Sequence, residues 1–167
     1  MHAPIVIGIG NDFRGDDAAG LEAARLLRGM LPPEVPVIEN EGDPAELIEA
    51  WTGVDLVIVI DTAISGAPPG AVVRHTVLGS SPAQGDAPQP PPTTIQYASS
   101  HALGVVDAVA LGHALGRLPR ELALYTIEGA DFGLGAPMTP AVRHAVEETV
   151  ATIADLVPQS SVRLRPS

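Results

Sequence analysis

The sequence predicts an α/β fold, and three observations carry that prediction. Apolar segments of strand length alternate with longer segments at helical spacing along the chain. The first segment, 4–9, is apolar on both faces, the pattern of a parallel strand covered on both sides. The 167 residues suffice for one domain with a substantial core.

The first strand passes Gly8 and Gly10 and leads to Asp16-Asp17, where a helix over 18–30 is expected. Leu21, Ala24, Leu27 and Leu31 recur at helical spacing in it. Asp16 or Asp17 is placed to cap its N-terminus, and Pro32-Pro33 stops it. A short second strand is expected at 35–39. In Gly42-Asp43-Pro44 the aspartate is the predicted N-cap, and the proline takes the first position of a helix reaching Trp51. The most hydrophobic segment, 54–60, reads as the central strand and ends at Asp61. A fourth strand, 71–78, carries Arg74 and His75, which argue for a place nearer the sheet edge. The stretch 79–97 is rich in Pro, Ser, Ala and Gln and reads as a mobile loop inside the domain. A helix at 102–115, a fifth strand at 121–127 and a helix at 141–156, started by Thr139-Pro140, complete a single domain over 1–157. The tail 158–167 is expected to fray.

Composition removes several classes of function. The formal net charge of -11 disfavours nucleic acid and anionic membrane surfaces as partners. The chain has no lysine, which excludes Schiff-base and P-loop lysine chemistry. It has no cysteine either, which excludes thiolate catalysis, disulfides and cysteine-ligated zinc. The opening residues lack the basic region of a signal peptide, and the apolar run 56–60 is too short to span a bilayer. A soluble cytoplasmic monomer is expected.

In an open α/β sheet, sites gather beyond the carboxyl ends of the strands. Asp16-Asp17 follow strand one, Asp61 ends strand three, and His101 lies on a loop about to enter a helix. Carboxylates and an imidazole converging there suit a borderline divalent cation with open coordination positions. Such a set makes a weak permanent site, so a transiently presented metal fits better than a resident one. Each group also has a purely structural reading. Asp16 and Asp17 would cap a helix, Asp61 would close a strand, and His101 would bond a loop carbonyl. Asn11 reads as an Asx-turn residue. His2, His75, His113 and His144 have no acidic company at a predicted strand end and read as structural or surface groups.

Dinucleotide binding is the rival. Gly8-x-Gly10 follows a strand, and Glu39 or Glu41 stands near where a ribose-binding acid would be. But Phe13 replaces the third glycine, and Asp16 and Asp17 would repel a pyrophosphate at the helix N-terminus. The rival is rejected on those two counts.

Three motifs, in order, resemble one family. They are Gly8-x-Gly10-Asn11-x-x-x-x-Asp16-Asp17-x-x-Gly20, the apolar strand ending in Asp61, and Ser100-His101-x-Leu103-Gly104. Together they are similar to the NiFe-hydrogenase maturation proteases. The chain departs from that pattern at Ala18 and in Glu41-Gly42-Asp43, which has a single glycine. The resemblance implies a single three-layer α/β/α domain with a largely parallel sheet of about five strands, phosphorylase/hydrolase-like. It implies an aspartic-type endopeptidase that removes a C-terminal extension from the precursor of a hydrogenase large subunit. Nickel is then not a resident cofactor but is presented by that partner, and Asp17, Asp61 and His101 are its expected ligands and the catalytic groups. Asp16 is expected to cap or to support its neighbour. Two alternatives share the sequence: a non-catalytic nickel-sensing or metallochaperone module, and, further off, a dinucleotide-binding protein.

Overall fold

The apolar segments form a five-stranded sheet between two layers of helices. A computed structural model describes residues 4–79 and 102–163. His2, His101, nearly all of the 79–97 loop and residues 164–167 lie outside the described residues. In chain order the elements are β1 (Ile5–Ile9), a 3-10 turn (Gly15–Ala18), α1 (Ala19–Met30), β2 (Val37–Asn40) and α2 (Pro44–Trp51). There follow β3 (Leu56–Ala63), β4 (Val72–Leu78), α3 (Ala102–Leu115), β5 (Glu121–Glu128) and α4 (Pro140–Arg163). The strand order is β2-β1-β3-β5-β4. The β1–β2, β1–β3 and β3–β5 pairs are parallel, and β4 runs antiparallel to β5.

Side-chain alternation splits the core in two. Val6, Ile58, Ile60, Ala123, Tyr125 and Ile127 face α1 and α4. Ile7, Ile9, Val57, Val59, Leu122 and Leu124 face α2 and α3, where Trp51 is fully buried. The central strand is β3, as its hydrophobicity predicts, and β4 lies at an edge as Arg74 and His75 suggest. The antiparallel direction of β4 is carried by no residue type. It follows from the tight Pro68-Pro69-Gly70 connection, which turns the chain back toward β5 and leaves Gly70 N donating to Glu128 O at 2.8 Å.

Most boundaries fall within one or two residues of the expected ones, and the following differences stand out. β2 begins at Val37, because Val35 is spent on a turn in which its N–H donates to Pro32 O at 3.0 Å. β3 runs through Asp61 to Ala63, because Thr62 and Ala63 still pair with Ile127 and Glu128. The helix after β1 starts one residue late, behind the 3-10 turn. The last helix runs on to Arg163 instead of ending near Leu156. No helix among the described residues is long and apolar enough to cross a membrane.

The glycines of the first motif bring α1 onto the sheet. A Cβ on Gly20 would collide with the carbonyls of Ile9 and Ile60, and one on Gly8 with the Gly20 carbonyl. The start of α1 therefore lies directly on the ends of β1 and β3. This is the contact that brings the Asp16-Asp17 turn to the same rim as Asp61.

Candidate functional site at the carboxyl rim of the sheet

The loop after β1 is built around Asn11, whose Oδ1 accepts from Phe13 N at 2.9 Å, the expected Asx turn. Asn11 N donates to Asp17 O at 3.1 Å, and Asp17 N to Arg14 O at 3.0 Å. Asp16 and Asp17 sit in the 3-10 turn with 0% and 1% of their surface exposed. Asp16 does not cap α1. Its carboxylate turns to the β5–α4 loop and accepts from the backbone N–H of Ala130, Asp131 and Thr139 at 2.7–2.9 Å and from the Thr139 hydroxyl. Burial pushes this carboxyl up, but the bonds from Asp131, Thr139 and Ala130 outweigh it and hold the group below the ordinary carboxylate range.

Asp61 is 0% exposed and lies within β3, in register with Thr126 of β5. One of its carboxylate oxygens accepts from Thr62 N at 2.8 Å. Thr62, pointing to the opposite face, donates its hydroxyl to Asp16 O at 3.1 Å. A rigid central strand and the turn on top of it are thus joined by one side chain.

The third predicted group, His101, lies outside the described residues, and no three His, Asp or Glu side chains among the described residues form a metal-holding group. The helix that follows it does start at this rim. A Cβ on Gly104 would collide with the Gly42 carbonyl, at the turn between β2 and α2. Gly42 has a φ of 99°, which only glycine adopts freely. The lone glycine of Glu41-Gly42-Asp43 and the glycine of the histidine motif thus share one backbone contact.

Glu128, a buried carboxylate at the end of β5, was missed in the sequence. It is in register with Ala63 and accepts from Ser65 N at 2.9 Å and from the Ser65 hydroxyl. Its signal was the one used for Asp61, a charge closing an apolar strand. His144 is exposed and pairs with Glu148 at 3.1 Å.

Glu39, one of the two acids placed to bind a ribose, is engaged elsewhere. Glu39 is bridged by Arg25 at 2.7 Å and by Arg28 at 3.2 Å, and Arg25 also pairs with Asp12 at 2.8 Å. The hydrogen bond from Arg25 holds the Asp12 carboxyl below its usual value. A Cβ on Gly8 would collide with the Gly20 carbonyl of α1, and one on Gly10 with the Asp17 carbonyl, so both glycines serve close backbone packing.

No protein-family model matches the chain. A curated relative, the hydrogenase expression/formation protein HupM of Azotobacter chroococcum mcd 1, is 26% identical over 97% of this chain and 75% of its own length. The NiFe hydrogenase maturation protease HybD of Thermococcus kodakarensis superposes with a TM-score of 0.72 at 24% identity, covering 93% of this chain and 99% of that one. The hydrogenase maturating endopeptidase HybD of E. coli gives 0.71 at 22% identity, over 95% and 93%. The chain's likeness is to the NiFe-hydrogenase maturation proteases. The mostly parallel five-stranded sheet is the fold of these maturation proteases, as the sequence resemblance implied. Asp17 and Asp61 both lie at the carboxyl rim of the sheet, Asp17 on the 3-10 turn after β1 and Asp61 near the end of β3.

Proposed function

We propose that this chain is an endopeptidase that trims the C-terminal extension of a nickel-loaded hydrogenase large-subunit precursor. The observation that carries the reading is the division of labour among the rim carboxylates. The Asp16 carboxylate binds the β5–α4 loop, and Asp17 and Asp61 lie buried on the 3-10 turn and on β3, which the Thr62 hydroxyl joins by donating to Asp16 O. The HybD proteins support the hydrolytic reading by their names, HupM supports a role in hydrogenase formation by its own, and the motif around His101 supports the reading from the sequence.

In this reading Asp17, Asp61 and His101 meet the nickel carried by the precursor, and the metal holds the extension in register. A rim carboxylate orients water as general base. Water adds to the scissile carbonyl, the C–N bond breaks, and the proton passes to the leaving amine. The partner is the precursor, and the protein acts as a cytoplasmic monomer.

The test is intact mass of a nickel-loaded precursor after incubation with the protein, beside a nickel-free one. Loss of a C-terminal peptide from the loaded sample alone is expected. Asp61→Asn and Asp17→Asn should each lower the rate by about 100-fold or more, the scale of general-base removal, with circular dichroism unchanged. Binding without shortening across several loaded precursors would favour a nickel-sensing module instead.

A further inference from the structure

The geometry points to Asp16 as the positioning residue of the rim, a buried carboxylate that fixes Asp17 and Asp61 against one another. This rests on the reading of Asp17 and Asp61 given above. Asp16 is tied to three parts of the site at once. Its carboxylate accepts from the N–H groups of Ala130, Asp131 and Thr139 and from the Thr139 hydroxyl, at the start of α4. Its N–H donates to Asp131 O at 2.8 Å, so the loop is held from both sides. Its carbonyl accepts from the Thr62 hydroxyl at 3.1 Å, and Thr62 N in turn donates to the Asp61 carboxylate at 2.8 Å. Asp17 follows in the chain, its own N–H and carbonyl fixed by Arg14 and Asn11.

The arrangement has no slack. Gly15, with a φ of 56°, lies so close to the loop that a Cβ there would collide with the Asp131 carbonyl. Only an ionised carboxylate accepts from all four donors. An asparagine offers one acceptor oxygen and turns an NH2 toward an N–H, so the loop must move away. Movement of the loop releases Asp16, and with it the hydroxyl of Thr62 that registers the turn on β3. Misplacing reacting groups by about 1 Å costs on the order of 100-fold in rate. Asp16 itself need not touch substrate.

Asp16→Asn and Thr139→Val are compared with the unaltered full-length protein by processing kinetics on a nickel-loaded precursor and by amide hydrogen exchange. Asp16→Asn is expected to lower kcat by about 10- to 100-fold with KM nearly unchanged, and Thr139→Val by a smaller factor in the same direction. Exchange is expected to speed up at the amides of Asp17 and Thr62, outside the loop that Asp16 binds. A folded Asp16→Asn with the unaltered kcat overturns the inference. So does faster exchange confined to Ala130, Asp131 and Thr139, the pattern of a purely local structural bond. If Asp16→Asn does not fold, Thr139→Val carries both readouts. If the unaltered protein processes no precursor, the peptidase reading fails by itself, and exchange at Asp17 and Thr62 still decides the positioning role.

Discussion

Two adjacent aspartates, both buried, are sent in different directions by the backbone that carries them. Asp16 faces a ring of N–H donors at the start of α4, and Asp17 is held over the end of β1 by Asn11 and Arg14. The sequence shows the pair but not this split, because the donors to Asp16 come from residues more than a hundred positions away. Another residue-scale effect concerns His75, which shares a cavity of about 110 Å³ with Thr126 and Glu128. Burial pushes its imidazole below the ordinary value. An unfolded histidine, titrating near ~6.5, then takes up its proton before the folded one does. His75 therefore adds stability that is full above that pH and is lost as pH falls through the window below it. The loss of melting temperature between neutral and mildly acid pH should be smaller in His75→Gln than in the unaltered protein. An equal loss in both would show that His75 does not drive it.

At the scale of elements, the motif glycines are packing residues. Gly20 lies between two strand-end carbonyls, and neither belongs to a side chain that can rotate away. Gly20→Ala should cost about 1–3 kcal/mol, the usual cost of overpacking, and should also slow processing, because the turn carrying Asp17 rides on α1. Denaturant melts and rates on one sample check this. Unaltered stability would mean that α1 sits further from the sheet. Helix α2 shows the opposite case, an element legible from three residues. Asp43 accepts from Ala45 N at 2.9 Å and Glu46 N at 3.2 Å, and Pro44 opens the helix, as Gly42-Asp43-Pro44 predicts. Capping is local in sequence and so is read locally, whereas the close approach of Gly42 and Gly104 joins the β2–α2 turn to the start of the distant α3.

The whole molecule is a sheet whose stability should be graded from centre to edge. β3 is paired on both sides, by β1 and β5, and its inward residues from Val57 to Ile60 are almost fully buried. Among the described residues β4 pairs with β5 alone, and it exposes Val72, Val73 and Leu78. Amides of β3 are expected to exchange only through global unfolding, and those of β4 through smaller openings. Equal protection in the two strands would contradict that gradient. Asp61 lies on this central strand, and the turn carrying Asp16 and Asp17 is bonded to it through Thr62. The sequence by itself determined the layered α/β class, the central place of the 54–60 segment, the Asx turn at Asn11, the cap of α2, and the residues Asp17, Asp61 and His101 as the set to test. Each of these rests on short-range periodicity, on a local hydrogen bond, or on a motif readable in one dimension. Only the tertiary structure decided that β4 runs antiparallel, that α1 rests on the ends of β1 and β3, and that Asp16 binds the β5–α4 loop. Those depend on contacts between residues far apart in the chain, where sterics and the pairing of buried polar groups select one arrangement from several that the sequence pattern allows.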